Sequence, residues 1–410
     1  MPTAELHTPV EVVEVVIDHL YNDTEALRAC SLVARAWLPT SRYHLIPSVR
    51  VHLNNYEELL RLLAAPETRI ALSVRHLMLA RLAERENGWM NEVIPTLAKS
   101  FASITSLSLI GVKWRHLNPL SDSHLRTSFQ KAKNFLLLDC NFSSLLEYLE
   151  VLCSFKIAEH LNIVMCNWNS GGHILPAHLT TPPSLRNLLI DGIYQPFLWW
   201  IVDQKHLRLE HFLVDEILAS DLENIKTILY RVGSTLRHLQ LRYSDTYLQL
   251  PSQPGPGLDL SQNTSLEKFK LTIGNPFSMY TGFPLQLNLS FVLPLLQSIS
   301  SPCLHELRFR ILVCSPGDLV AVDWYGIDNL AGEKVWGSSL TRVLIELTDI
   351  TCESIPENFM EEAKAVIYPG LHYLATQGLL DVRFKPLPET PETIYALRQV
   401  AFKGLPLPRQ

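Results

Sequence analysis

The 410-residue chain predicts an α/β protein in which a small helical module precedes a long series of alternating strands and helices. Three observations carry this prediction. A six-residue phrase, apolar-x-x-apolar-x-apolar, returns eleven times from Val74 onward. Stretches with helical spacing lie between several of its copies. Ahead of the first copy, the opening residues read as short helices, which divides the chain into a module over 1–55 and a repeat region over 56–410.

The first element is the run Val10 to Leu20, "VEVVEVVIDHL", with seven apolar residues in eleven, six of them β-branched. β-Branching favours a strand. The spacing favours a helix: strict alternation breaks at Val12-Val13 and at Val15-Val16-Ile17, while Glu11, Glu14 and Asp18 recur on one helical face. Pro9 suits a helix start, where its missing N–H would have no partner. Val13, Val16, Ile17 and Leu20 form a core-facing stripe, and Val10, Val12 and Val15 widen it beyond what one packing partner needs. Such a helix is either wholly buried or packed between its own domain and a second protein.

Asp23 is an N-cap candidate for a second helix, with Leu27, Cys30, Ala34 and Trp37 on one face and Pro39 ending it. A third short segment, "SRYHLIPSV", follows. Three such helices are too small to hold a stable core alone.

The pattern "PVEVV…VI…L" followed by "LRACSLVARAW" resembles an F-box, and the run "CSLVARAWLPTSRYHL" is especially similar to fungal F-box receptors. F-boxes attach substrate receptors to cullin–RING ubiquitin ligases through a small adaptor subunit. The resemblance implies that Pro9, Val10, Val12, Val13, Val16, Ile17, Leu20, Leu27, Cys30, Val33 and Trp37 build the module and its adaptor surface, with Glu11 and Arg35 also at family positions. The family usually opens with Leu-Pro, whereas Thr8 precedes Pro9 here, which removes an apolar anchor of roughly 1.5–3 kcal/mol. An ordinary helical cap on the repeat region is the alternative reading of the same segment.

The repeat copies begin at Val74, Ile104, Ala132, Ala158, Leu185, Leu209, Leu236, Leu266, Leu304, Leu340 and Leu379, separated by 24 to 39 residues. That period fits an irregular leucine-rich repeat. Two copies extend to the longer pattern L-x-x-L-x-L-x-x-C-x-L, "AKNFLLLDCNF" and "AEHLNIVMCNW", which reads Cys140 and Cys166 as buried rungs after a strand. Helical segments are expected from Ser143, Ser220 and Pro356. Strand followed by helix, repeated, forces a parallel sheet with helices on one face, predicting a curved solenoid with its sheet on the concave side. "LPSQPGPGLDL" from Leu250 is a loop interrupting the series, and "LQLNLSF" from Leu285 alternates like a strand but leaves its class open.

A formal charge of -6 and a pI near 6.2 give no global attraction to nucleic acid or membrane. Seven cysteines without a C-x-x-C pair fit scattered thiols in a reducing compartment, and no secretory signal or spanning segment is expected, which points to the cytosol or nucleus. No G-x-S-x-G, phosphate loop or H-E-x-x-H is present, so no enzyme, cofactor or metal centre is expected. His76, His160, His211 and His238 occupy one place in the phrase, where period-two geometry turns them away from the apolar side. Solvated strand residues explain them better than metal ligands.

The same geometry assigns three outward positions to each phrase. In the first six copies these are Ser, Asn, His, Leu, Met, Ile, Ala and Val, with Asp191 and Asp215 the only charges. In the last five they hold Arg242, Lys268, Lys270, Arg308, Arg310, Arg342, Arg383 and Lys385 against Glu306, Glu346 and Asp381. Such a cluster suits an acidic or phosphorylated protein partner, with a merely solvated sheet face as the alternative. The expected function is that of a substrate receptor in an SCF-type ubiquitin ligase, binding the adaptor, and through it a cullin, by the module and a target protein by the repeats. A non-ligase repeat scaffold or inhibitor is the competing expectation.

Overall fold

The computed structural model describes residues 9–65, 70–81, 88–169, 178–192, 195–243, 257–273, 289–313, 315–349 and 358–385. It is an α/β protein in two compact units, the first comprising Met1–Gly192 with Trp199–Leu207 and the second Ile193–Leu198 with Arg208–Gln410. Among the described residues, no helix is long and apolar enough to cross a membrane.

The first unit opens with α1 (Val10–His19), α2 (Thr24–Val33) and α3 (Leu38–Leu45). Pro9 caps α1 in an extended conformation, and Asp23 caps α2 by accepting the Ala26 N–H at 2.9 Å, both as the sequence predicts. α2 is shorter than expected. It ends at Val33, where Ala34 turns extended, so Ala34 and Trp37 do not continue its face; Trp37 instead precedes α3 and reaches the module core from there.

Beyond the module run β1 (Ser48–Val51), β2 (His76–Ala80), β3 (Ser106–Ile110), β4 (Asn134–Leu138), β5 (Asn141–Phe142), β6 (His160–Val164), β7 (Asn167–Trp168) and β8 (Asn187–Asp191). They pair in parallel in the order β1-β2-β3-β4-β6-β8, with β5 and β7 forming a separate pair. β1 is a strand that the phrase count misses, and it falls inside the stretch read as purely helical. Leu77, Leu79, Leu107, Leu109, Phe135, Leu137, Leu161 and Ile163 alternate into the core, as period two requires.

The tails after β4 and β6 behave as the longer pattern predicts. Cys140 and Cys166 are buried, and their thiols lie against strand carbonyls, Leu109 and Leu138 for Cys140 and Val164 for Cys166. Burial and the neighbouring Cys166 push the Cys140 thiol well above its ordinary pKa, which keeps it protonated and inert. Trp114 stacks on Phe142 at 4.8 Å and Trp168 on Tyr148 at 5.1 Å, with Phe142 and Tyr148 meeting edge-on at 5.0 Å. The intervening helix Leu145–Ser154 begins where the sequence places it, with Ser144 accepting the Glu147 N–H and the Glu147 carboxylate accepting the Ser143 N–H.

The second unit contains β9 (His211–Ile217), β10 (His238–Tyr243), β11 (Lys268–Ile273), β12 (Glu306–Val313), β13 (Arg342–Asp349) and β14 (Leu380–Phe384). These six pair in parallel in chain order. Helices Leu222–Val232 and Phe359–Gly370 occupy two of the predicted intervals. All eleven phrases therefore carry strands, ten of them starting at the third position of the phrase. The eleventh is out of step: Val343 pairs with Leu380 and Ile345 with Val382, so its register lies two residues from the predicted alignment. A two-residue slip preserves the face on which each side chain emerges. The Pro/Gly loop from Leu250 and the alternating run from Leu285 fall largely outside the described residues.

Candidate functional site

Two surfaces collect the residues singled out from the sequence. The first is on the helical module. Val13, Ile17 and Leu27 are its buried core, with Leu20, Cys30, Trp37 and Leu45 packed around them. Three fully buried side chains, at roughly 1.5–3 kcal/mol each, make a small core. α3 ties the module together and to the sheet. His44 Nε2 lies 2.7 Å from Asp18 of α1, while the Arg75 guanidinium covers the Tyr43 ring at 3.8 Å and donates to its hydroxyl at 2.8 Å.

The rest of α1 is left outside that core. Val10, Val12, Val15 and Val16 are 42%, 50%, 57% and 55% exposed. Val16 thus departs from its expected place on the core-facing stripe, because Val13 and Ile17, four residues apart, already fill the contact with α2. Pro9 is also exposed, and Val33 joins Leu32 as an exposed pair at the end of α2, Leu32 being 86% exposed. Neither Leu32 nor Val15 was among the predicted adaptor residues. Their only sequence signal was an apolar residue in excess of what the packed face could use. The eleven predicted residues separate into buried Val13, Ile17 and Leu27, half-buried Leu20, Cys30 and Trp37, and exposed Pro9, Val10, Val12, Val16 and Val33.

The second surface is the outward face of β9 to β14, where register brings the charged positions into three rows. One runs His211, His238, Lys268, Glu306, Arg342. The next runs Leu213, Gln240, Lys270, Arg308, Leu344, Asp381. The third runs Arg242, Thr272, Arg310, Glu346, Arg383. All seven predicted target-binding cations therefore lie on one face, as the alternation implied.

Five of the seven have acidic partners. Arg308 contacts Glu306 at 2.7 Å and lies 4.0 Å from Glu346. Lys268 reaches the other oxygen of Glu306 at 3.5 Å, and Arg242 lies 3.7 Å from Asp215. Arg342 and Arg383 both hold Asp381, each at 2.7 Å. Burial acts against the Glu306 carboxylate, yet Arg308 and Lys268 together hold it below its ordinary pKa. Asp381 is lowered by its hydrogen bonds from Arg383 and Arg342.

Lys270 and Arg310 differ from the other five. No acid among the described residues comes within ion-pair distance of either, and Arg310 Nε is buried without an acceptor. Burial, reinforced by repulsion from Arg310, pushes the Lys270 ammonium down to about 8, with Asp215 and Glu346 opposing. Burial also lowers Arg310, against the attraction of Glu346. The sequence marked both as basic without separating them from their neighbours, since pairing depends on register.

The outward histidines are half-buried strand residues. His211 and His238 face each other at 4.1 Å between ring centroids. Burial first, then His211 and Lys268, push His238 down to about 4, so its ring is neutral at pH 7. Among the described residues, no group of three His, Cys, Asp or Glu side chains is placed to hold a metal ion.

No protein-family model matches the chain, and no curated protein matches it.

Proposed function

We propose that the chain is the substrate receptor of an SCF-type ubiquitin ligase, an F-box module followed by a leucine-rich-repeat solenoid. In this reading α1 and the end of α2 bind the adaptor, which joins the chain to a cullin, and the outward face of the strands binds a target protein. The protein then works in the cytosol or nucleus. Its contribution to catalysis is proximity: it holds the target beside a ubiquitin-conjugating enzyme carried by the rest of the complex, and no residue of this chain enters the chemistry.

The observation that carries the reading is the exposure of four valines on one ten-residue helix whose opposite side is already packed. A helix that merely capped the repeats would gain nothing from them. Exposed apolar residues grouped in this way mark interaction surfaces. The parallel strand–helix alternation and the cysteine rungs support the repeat assignment.

The docking of α3 favours the competing reading, a scaffold whose helices cap the sheet, because Arg75 and Tyr43 join α3 to the strand region directly. The two readings divide at α1. Co-purification of the adaptor with the full chain, lost on Val12→Asp with Val16→Asp, supports the receptor. A chain that never captures the adaptor leaves the scaffold.

A further inference from the structure

On the outward face of the second unit, two half-buried cations on neighbouring strands stand without an acid at ion-pair distance. Lys270 on β11 lies in register beside Arg308 of β12, and Arg310 lies two residues further along β12. With neighbouring strands about 4.8 Å apart and a rise of about 3.3 Å per residue, the Lys270 and Arg310 Cα atoms are about 8 Å apart on one face. The acids nearest them, Asp215 and Glu346, stay outside ion-pair distance of both, although Glu346 stands in register beside Arg310, and each lies only loosely against another arginine, Arg242 at 3.7 Å and Arg308 at 4.0 Å. Two half-buried cations therefore repel each other, with Asp215 and Glu346 attracting them from beyond ion-pair distance and no acid in contact with either among the described residues.

We propose that Lys270 and Arg310 form an anion site that takes a phosphate monoester. The charge decides between candidate anions. A carboxylate brings one negative charge and would leave one cation uncompensated, whereas a phosphate monoester carries about two at neutral pH and three acceptor oxygens. The guanidinium supplies a planar fork with a free Nε–H, and the ammonium a point charge from the neighbouring strand, so one phosphate can accept from both. Thr272, in register beside Arg310, stands on the same face. The nearby Glu346 and Asp215 carboxylates repel any anion, so binding requires both cations together. The phosphate can be carried by a side chain of a bound protein or by a free small ester. This inference depends on the receptor reading for the origin of the phosphate, not for whether the pair binds it.

The test is calorimetric titration of the full-length chain with inorganic phosphate at constant ionic strength, in chloride buffer at pH 7. Saturable binding is expected, weakened at least tenfold by Lys270→Met and again by Arg310→Gln, and unchanged by Lys226→Gln on the helix Leu222–Val232. A neutral peptide bearing one phosphoserine, set against free O-phosphoserine, separates the sources. Tighter binding of the peptide assigns a phosphorylated protein, and equal binding assigns a free ester. Absence of saturable phosphate binding by the parent chain, or binding undiminished in the double variant, overturns the site. Circular dichroism melts of each variant verify folding, and Lys270→Met alone suffices should Arg310→Gln unfold. Adaptor capture by the same variants is expected to be unchanged, so failure of the phosphate site and failure of the receptor reading appear in different assays.

Discussion

Replacing Lys270 by Met should make the protein more stable at neutral pH, and the gain should vanish in alkali. The substitution keeps the length of the side chain and removes a charge disfavoured first by burial and then by repulsion from Arg310 and Arg308 of β12, which together outweigh the attraction of Asp215 of β9 and Glu346 of β13. A lysine ordinarily titrating at 10.5 and brought down to about 8 binds its proton more weakly folded than unfolded. At about 1.36 kcal/mol per pH unit the cost of keeping it charged is about 3 kcal/mol, and residual solvent contact reduces the expected gain to roughly 1–3 kcal/mol. The sign follows from proton counting. Between pH 8 and 10.5 the unfolded lysine holds more protons than the folded one, so the stability of the parent chain rises with pH across that window. Below pH 8 the penalty is complete, and above 10.5 it is gone. Urea denaturation of both proteins at pH 7 and at pH 10.5 measures the gap directly, because every other titrating group is common to the two. A variant no more stable than the parent at pH 7, or a gap that does not shrink with pH, refutes the reasoning.

Three further outcomes follow from other parts of the molecule. Val12→Asp with Val16→Asp should change stability by no more than about 0.5 kcal/mol, since both side chains are exposed, while Ile17→Ala should cost about 2–5 kcal/mol; thermal melts distinguish a docking surface from a core. Met165 adopts a left-handed φ of 51°, the strand-end conformation that Gly111 and Gly192 also take, so Met165→Gly should relieve roughly 1 kcal/mol of backbone strain. Gly111→Ala should do the reverse, because φ is +67° and the added Cβ meets the Arg81 carbonyl oxygen at 3.0 Å; denaturation midpoints check both. The Asp328 carboxylate accepts the Tyr373 and Leu374 N–H groups at 2.8 and 3.0 Å, and Asp328→Ala should cost roughly 1–3 kcal/mol and speed amide exchange at those two residues.

The repeated phrase made eleven strands legible because two apolar residues in alternation, at a fixed distance from a third, describe a half-buried strand and little else. β1 escaped notice because it is four residues long and follows Pro47, which reads as the end of a helix. The end of α2 was illegible for another reason: Arg35 and Ala36 are good helix formers, yet Trp37 fills the module core from the far side of a turn. The side of the sheet on which each charge stands followed from parity alone. Which charge meets which acid did not, because that depends on register, and the last strand shows how a run such as "LLDV" accommodates two alignments with the same parity. Lys270 and Arg310 became distinct from Arg308 and Arg342 only when neighbouring strands were laid side by side.

The alternation within each strand also has an evolutionary consequence. Folding is governed by one set of positions while the interleaved set faces outward, so the outward letters can be rewritten while the core alphabet stays constant. Drift on this face is cheap wherever a residue stands alone and constrained wherever a neighbour's charge depends on it. New surface charge patterns should therefore arise by exchanging whole acid–base partners across adjacent strands, with lone substitutions surviving mainly at the uncharged rungs.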